Sequence, residues 1–191
     1  MSHDIIRRLE NLIRIGTVAS VDHATARCTV DCAGIVTAPL PWLTLRAGTD
    51  RTWDAPTVGE QVLVLAAGGE MMQAVVLMGL YHEGCVAPSD QPNIKTRHFE
   101  DDCTISYDTK AHALSAILPD GGSVVITAKA GVTINAKAGV TINAKGGATI
   151  NGDTQINGTL KATGDVVAGS ISLQNHKHRE QGDRALTSGA M

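Results

Sequence analysis

Two histidines separated by one residue, His176 and His178 in the run QNHKH, are the side chains of this 191-residue chain best suited to holding a ligand. On an extended strand residues i and i+2 point to the same side, so both imidazoles would aim one way. Imidazole nitrogen suits iron, nickel, copper or zinc. One chain offers two such nitrogens, and three chains around an axis would offer six, the number an octahedral transition metal accepts. A metal filled by protein ligands keeps no open position for substrate, so the chemistry would be structural and no catalytic residue is expected. The alternative is a solvated pair at the start of a polar tail, REQGDRALTSGAM. His3, His23, His82, His98 and His112 are scattered and read as surface or structural residues.

Such a site needs elements that bring three chains to one axis, and the sequence supplies a candidate. ITAKAGVT, INAKAGVT and INAKGGAT follow one another and lead into ING, so Ile126, Ile134, Ile142 and Ile150 recur every eight residues. Eight extended residues span roughly 26 Å. A β-helix closed within one chain needs about 18 residues per coil, counted as three hexapeptide faces. Three chains each giving one octad per layer would supply that circumference, which predicts an intertwined homotrimeric β-prism. Alternation places Val132, Ile134, Ala136, Val140, Ile142 and Ala144 inward. Thr133, Asn135, Lys137, Thr141, Asn143 and Lys145 face out. Gly131, Gly139 and Gly147 stand where the chain would turn corners. Lys129, Lys137 and Lys145 form an outward ladder suited to solubility and to blocking edge association, with anion binding as the alternative.

Beyond Ile150 the spacing shortens to INGDTQ, INGTLK, ATGDVV and AGSISL, and six residues per face close a smaller perimeter than eight. The prism should therefore taper toward the histidines. Asn135, Asn143, Asn151 and Asn157 share the place beside an Ile, where they either stack as amide ladders or cap local backbone groups.

Upstream of the repeats, DIIRRLENLIR puts Ile5, Leu9, Leu12 and Ile13 on one helical face, with Gly16 as the stop. That short helix either lies on its own domain or docks a neighbouring subunit. RIGTVASVD, ARCTVDCAGIVTAP, WLTLRAG, EQVLVLAAG and MQAVVLMGLYH then read as five strands separated by Gly, Pro and Asp, which suits an OB-type barrel. VAPSDQPNIKT has no periodicity and reads as a linker or crossover. FEDDCTISYD and HALSAILP alternate again before the Pro119-Asp120-Gly121-Gly122 turn. The expected division is a helix over 1–14, an OB collar over 15–85, a linker over 86–98, a triple-stranded β-helix over 99–174 and a metal-binding apex over 175–191. The fold class is all-β.

Composition narrows the function. One Phe, two Tyr and two Trp are too few for a large aromatic core, whereas 20 glycines suit narrow layers. A net charge of −3, with no basic cluster expected around Trp42, Trp53 and Tyr81, argues against a nucleic-acid surface and for a protein-interaction collar. No apolar run approaches membrane-spanning length and MSHDIIRRLENLIRI is not a signal peptide, so the chain is expected to fold in the cytoplasm. Cys28, Cys32, Cys85 and Cys103 contain no CxxC and are expected to be reduced, buried, small apolar residues. A trimeric left-handed β-helix acyltransferase also uses short repeats and intersubunit histidines, but its coils close within one chain from hexapeptides, and octads dominate here.

RIGTVASVDHATARCTV, LPWLTLRAG, TWDAPTVGEQVLVLAAGGEMMQAVVLMGLY and HKH resemble the baseplate assembly protein V family, the central spikes of contractile-tailed, Mu-like bacteriophages. The resemblance covers nearly the whole chain. It implies a trimeric OB collar, a triple-stranded β-helix and a pointed tip that holds one iron ion through both histidines of three chains, here His176 and His178. It also implies calcium or chloride on the axis, without residues to assign, and as partners the baseplate hub, the tail tube and the host outer membrane, with no nucleic acid. The implied place is the virion tail, after assembly in the host cytoplasm, and the implied job is membrane piercing on sheath contraction. A contractile bacteriocin or secretion apparatus would use the same spike. Some relatives carry a lysozyme domain between barrel and prism; residues 86–98 leave no room for one, so peptidoglycan cleavage is not expected.

Overall fold

A computed structural model of the chain describes residues 3–178 and Gly182. The chain divides into two compact units, Met1–Thr127 and Ala128–Met191. The first opens with helix α1, His3–Asn11, whose Asp4 pairs with Arg7 at 2.7 Å and Arg8 at 3.0 Å. These pairs hold the Asp4 carboxyl below the usual carboxylate range, with the Arg7 hydrogen bond the largest cause. The helix is shorter than its periodicity suggested. The Leu12 carbonyl accepts the Ala66 N–H at 3.0 Å, and from Ile13 onward the backbone is strand, so tertiary pairing overrides the helical pattern at Leu12 and Ile13.

Five antiparallel strands follow: β1 Ile13–Asp22, β2 Arg27–Asp31, β3 Leu40–Pro41, β4 Gln61–Leu65 and β5 Val75–Leu80, in the order β3-β2-β1-β4-β5. The sheet curls until its edges meet, because Trp42 bridges to Val76 and the Leu43 N–H donates to the Val76 carbonyl at 2.8 Å. Closure removes the exposed edges that an open sheet would offer to other chains. Val18, Cys28, Val30, Leu40, Val62, Val64 and Val76 fill the interior, each at most 1% exposed. In β2 and β4 alternate residues are buried, as a two-residue period requires. A bulge between Val18 and Ser20 shifts that parity on β1 and turns Val21 back toward the core.

Several details depart from the sequence reading. Gly16 does not stop the helix; it lies within β1, where an added Cβ would sit 2.5 Å from Val30 Cγ1 and 2.7 Å from the Asp31 carbonyl. WLTLRAG is not a strand beyond the Trp42 bridge. It enters a loop pinned by the Thr44 and Thr52 hydroxyls at 2.7 Å and by the Arg46 N–H donating to Thr52 Oγ1 at 3.1 Å. That loop also brings Arg46 and Arg51 beside Trp42 and Trp53, a closer approach of cations to aromatics than the sequence suggested. Arg46 is itself paired with Asp50 at 3.5 Å. All four cysteines are free thiols, but only Cys28 and Cys32 are buried, and burial pushes both thiols up. Cys85 is exposed and Cys103 half-buried.

The stretch expected as linker becomes strand at Ile94. β6 Ile94–His98, β7 Thr104–Asp108 and β8 Ala113–Ile117 form a second antiparallel sheet in that order. Asn93 Nδ2 donates to Asp108 Oδ1 at 2.8 Å and fixes the start of the meander. The same carboxylate accepts the N–H groups of Lys110 and Ala111, which, with Ala111 the largest cause, hold its pKa down.

Gly16→Val should overpack the barrel and cost roughly 1–3 kcal/mol. Thermal melting of the barrel checks this, and an unchanged midpoint would contradict the described approach of β1 to β2.

Candidate functional site: the repeat segment and the histidine pair

Among the described residues no strand is assigned between Ile117 and Val167, and every residue from 120 to 171 is exposed. That exposure falls on residues whose chemistry opposes it. Val132 is 61% exposed, Ile134 71%, Val140 59% and Ile142 75%. Burying one Val or Ile fully is worth roughly 1.5–3 kcal/mol, and unpaired backbone groups cost comparably when taken from water. One copy of the segment buries none of these four side chains and pairs no strand before Val167.

Its local geometry is nonetheless regular. The backbone bends at Lys129-Ala130, Lys137-Ala138 and Lys145-Gly146, and the glycines that follow have φ of 154°, 108° and 85° at Gly131, Gly139 and Gly147. Positive φ at eight-residue intervals is what corner positions demand and what L side chains resist. The next positive-φ glycines are Gly152 and Gly158, six apart, at the point where the sequence period shortens.

The last two hexads do not continue as separate faces. β9 Val167–Ala168 and β10 Ile171–Ser172 pair antiparallel as a hairpin turned at Gly169, φ 64°, which occupies the first loop position where such turns use glycine. This hairpin positions the first histidine. Asp165 Oδ1 accepts the Gln174 N–H at 3.0 Å, Ser172 Oγ accepts the Asn175 N–H at 2.9 Å, and the Ser172 carbonyl accepts the His176 N–H at 3.0 Å. Hydrogen bonding, chiefly from Ser172, holds the Asp165 carboxyl below its ordinary range. Asp165 and Ser172 are positioning residues that carried no sequence signal, because their partners lie up to nine positions away and depend on the hairpin register.

His176 is half-buried, and its Nδ1 lies 3.1 Å from the Ser172 carbonyl and 3.0 Å from that of Leu173. Carbonyl oxygens only accept, so Nδ1 is the donor in these contacts, and in the neutral ring that leaves the lone pair on Nε2. This is the arrangement that orients a metal-bound imidazole: one nitrogen donates to a backbone carbonyl and the other faces the ion. The His178 ring stands 5.0 Å from that of His176, at 84° between planes. The structure thus brings the two expected ligands together, although His176 sits in a turn and not on a straight strand. Among the described residues of one chain, no three His, Cys, Asp or Glu side chains form a metal cage. Two imidazoles per chain fit a metal shared between chains. Residues 179–181 and 183–191, the remainder of the expected apex, lie outside the described residues.

Comparison with known proteins supplies what one copy lacks. Residues 14–81 match the model of the Type VI secretion system/phage-baseplate injector OB domain, and residues 95–173 match that of the Gp138 beta helical trimerization domain. The spike protein of Escherichia phage P2 is 34% identical over 201 residues, covering 98% of this chain and 95% of the relative. The partnerless repeat segment therefore falls within a trimerization domain, and its missing partners are two further copies of the chain.

Ile142→Asp would place three carboxylates among the inward residues, each costing several kcal/mol if unpaired. The variant should fail to assemble, and light scattering reads the loss. A variant that still weighed three chains and resisted heat would overturn the inward set.

Proposed function

The chain belongs to the family of phage spike proteins, and on that premise we propose that it is the central spike of a contractile tail baseplate, driven through the host outer membrane when the sheath contracts. His176 and His178 of three copies hold a structural metal ion at its tip. In this reading the chain's role is structural and not enzymatic. The observation that carries the reading is the exposed, partnerless octad segment leading into a paired set of imidazoles.

Each part of the chain has a mechanical task. Sheath contraction does the work, and the spike must stay folded under axial load. Braided copies meet that need kinetically, since no chain leaves without unwinding past two others. Octads giving way to shorter repeats narrow the cross-section toward the histidines and concentrate the force. His176, oriented by the Ser172 and Leu173 carbonyls, presents Nε2 together with His178. A bound metal, iron being the ion expected, would supply ligation that ties together chain ends otherwise free to fray. The barrel serves as a collar toward the baseplate hub and tail tube. The apolar side of α1, with Ile5 45% and Leu9 61% exposed, suits that docking. In this reading the spike is assembled in the host cytoplasm and carried on the virion tail.

A second setting, the spike of a phage-derived injection machine, is favoured by one finding. The OB model matched over residues 14–81 covers secretion-system as well as phage injectors.

Substituting both His176 and His178 with Ala should remove bound metal while the mass in solution stays at three chains. Elemental analysis and light scattering on the same full-length sample read both quantities. Iron or another transition metal retained by the double variant would refute the ligand assignment.

A further inference from the structure

The octads raise a problem of phase. Residues 126–133, 134–141 and 142–149 carry nearly the same side chains, so a chain displaced by eight residues against its neighbours would meet nearly the same contacts. Strands whose register is weakly specified slip. A surface outside the repeats must therefore decide which octads lie level.

The barrel carries such a surface. Leu43, Leu45, Trp53 and Leu77 line an apolar groove of about 570 Å³. Leu45 is 89% exposed and Trp53 63%. Arg97 of β6 forms another part of its wall, paired with Asp54 at 2.7 Å and lying 4.9 Å over the Phe99 ring. Arg97 and Phe99 fall within the stretch matched by the trimerization domain, so the groove is continuous with the segment through which copies associate. Aromatic side chains and arginine are enriched at protein interfaces, and charged residues are depleted at their cores. Here the one ion pair stands beside four apolar walls. Contacts around a three-fold axis join two different patches, so the groove's mate is another surface of the next copy.

We infer that this groove seats a second copy of the chain and thereby sets the register in which the repeats braid. The inference rests on the trimeric reading above. Every chain carries its groove the same number of residues ahead of its first octad, so closing three grooves brings identical octads level.

Ala136→Cys in the full chain tests it, because level chains bring the introduced thiols together at the axis, where oxidation links them. Nonreducing gels should show most chains linked in this variant. Adding Leu45→Glu and Trp53→Ala, both at exposed positions, should cut linkage by about fivefold or more as register slips. In a separate Leu45→Cys chain, labelling of the position-45 thiol should be about tenfold slower assembled than unfolded, as burial at an interface requires. If the groove variant no longer assembles, the labelling decides alone. Linkage undiminished from the parent in a three-chain groove variant, no linkage in the Ala136→Cys parent, or equal labelling rates would each overturn the inference while leaving the trimer standing. A single-chain mass for the unsubstituted protein would remove the trimer itself.

Discussion

A β segment without a partner is the constraint on which the rest of this molecule turns. From residue 120 to 171 the chain exposes its valines and isoleucines, and it forms no strand before Val167. Folding must recover the ordering cost of each residue from burial and hydrogen bonding, and one copy of this stretch buries no residue and pairs no strand before the short hairpin at Val167. The trimerization domain matched over 95–173 resolves the deficit by giving each face two neighbours. The barrel faces the opposite situation. Its edges meet at Trp42 and Val76, and its core needs nothing from outside. The protein thus joins a self-sufficient element to one that is complete only in company.

The histidine pair sits where these demands converge. Its orientation is a product of local backbone chemistry: a two-stranded hairpin, a carboxylate at Asp165 and two carbonyls that fix the tautomer of His176. Those contacts lie within one chain, so each copy arrives with its imidazole already aimed. A single copy provides two imidazoles, and a trimerizing segment would multiply that number by three.

Much of this was legible in the residue order, for identifiable reasons. Periodicity survives translation into structure when the same side chain meets the same need at each interval, as the positive φ of Gly131, Gly139 and Gly147 shows. Strands β1, β2, β4 and β5 were legible as runs set off by Gly, Pro and Asp, and in β2 and β4 alternate residues are buried. Boundaries set by distant pairing were not legible. Ile13 fits a helical face, yet it pairs with Leu65; Ile94 follows a polar run, yet it pairs with Asp108. WLTLRAG alternates like a strand but is held as a loop by hydroxyl contacts across eight residues. At the histidines the pair itself was visible, whereas Asp165 and Ser172 were not, because their roles exist only once the hairpin has formed.

Closure of the barrel within its own strands has a consequence for the timing of synthesis. All five strands lie before residue 81, so they leave the ribosome ahead of the repeats, and domains nearer the N-terminus generally fold first during translation. A nascent polypeptide can therefore carry a finished head while its sticky downstream half is still being made. Polysomes that hold several such heads close together would favour meeting of sister chains before bare isoleucines encounter anything else.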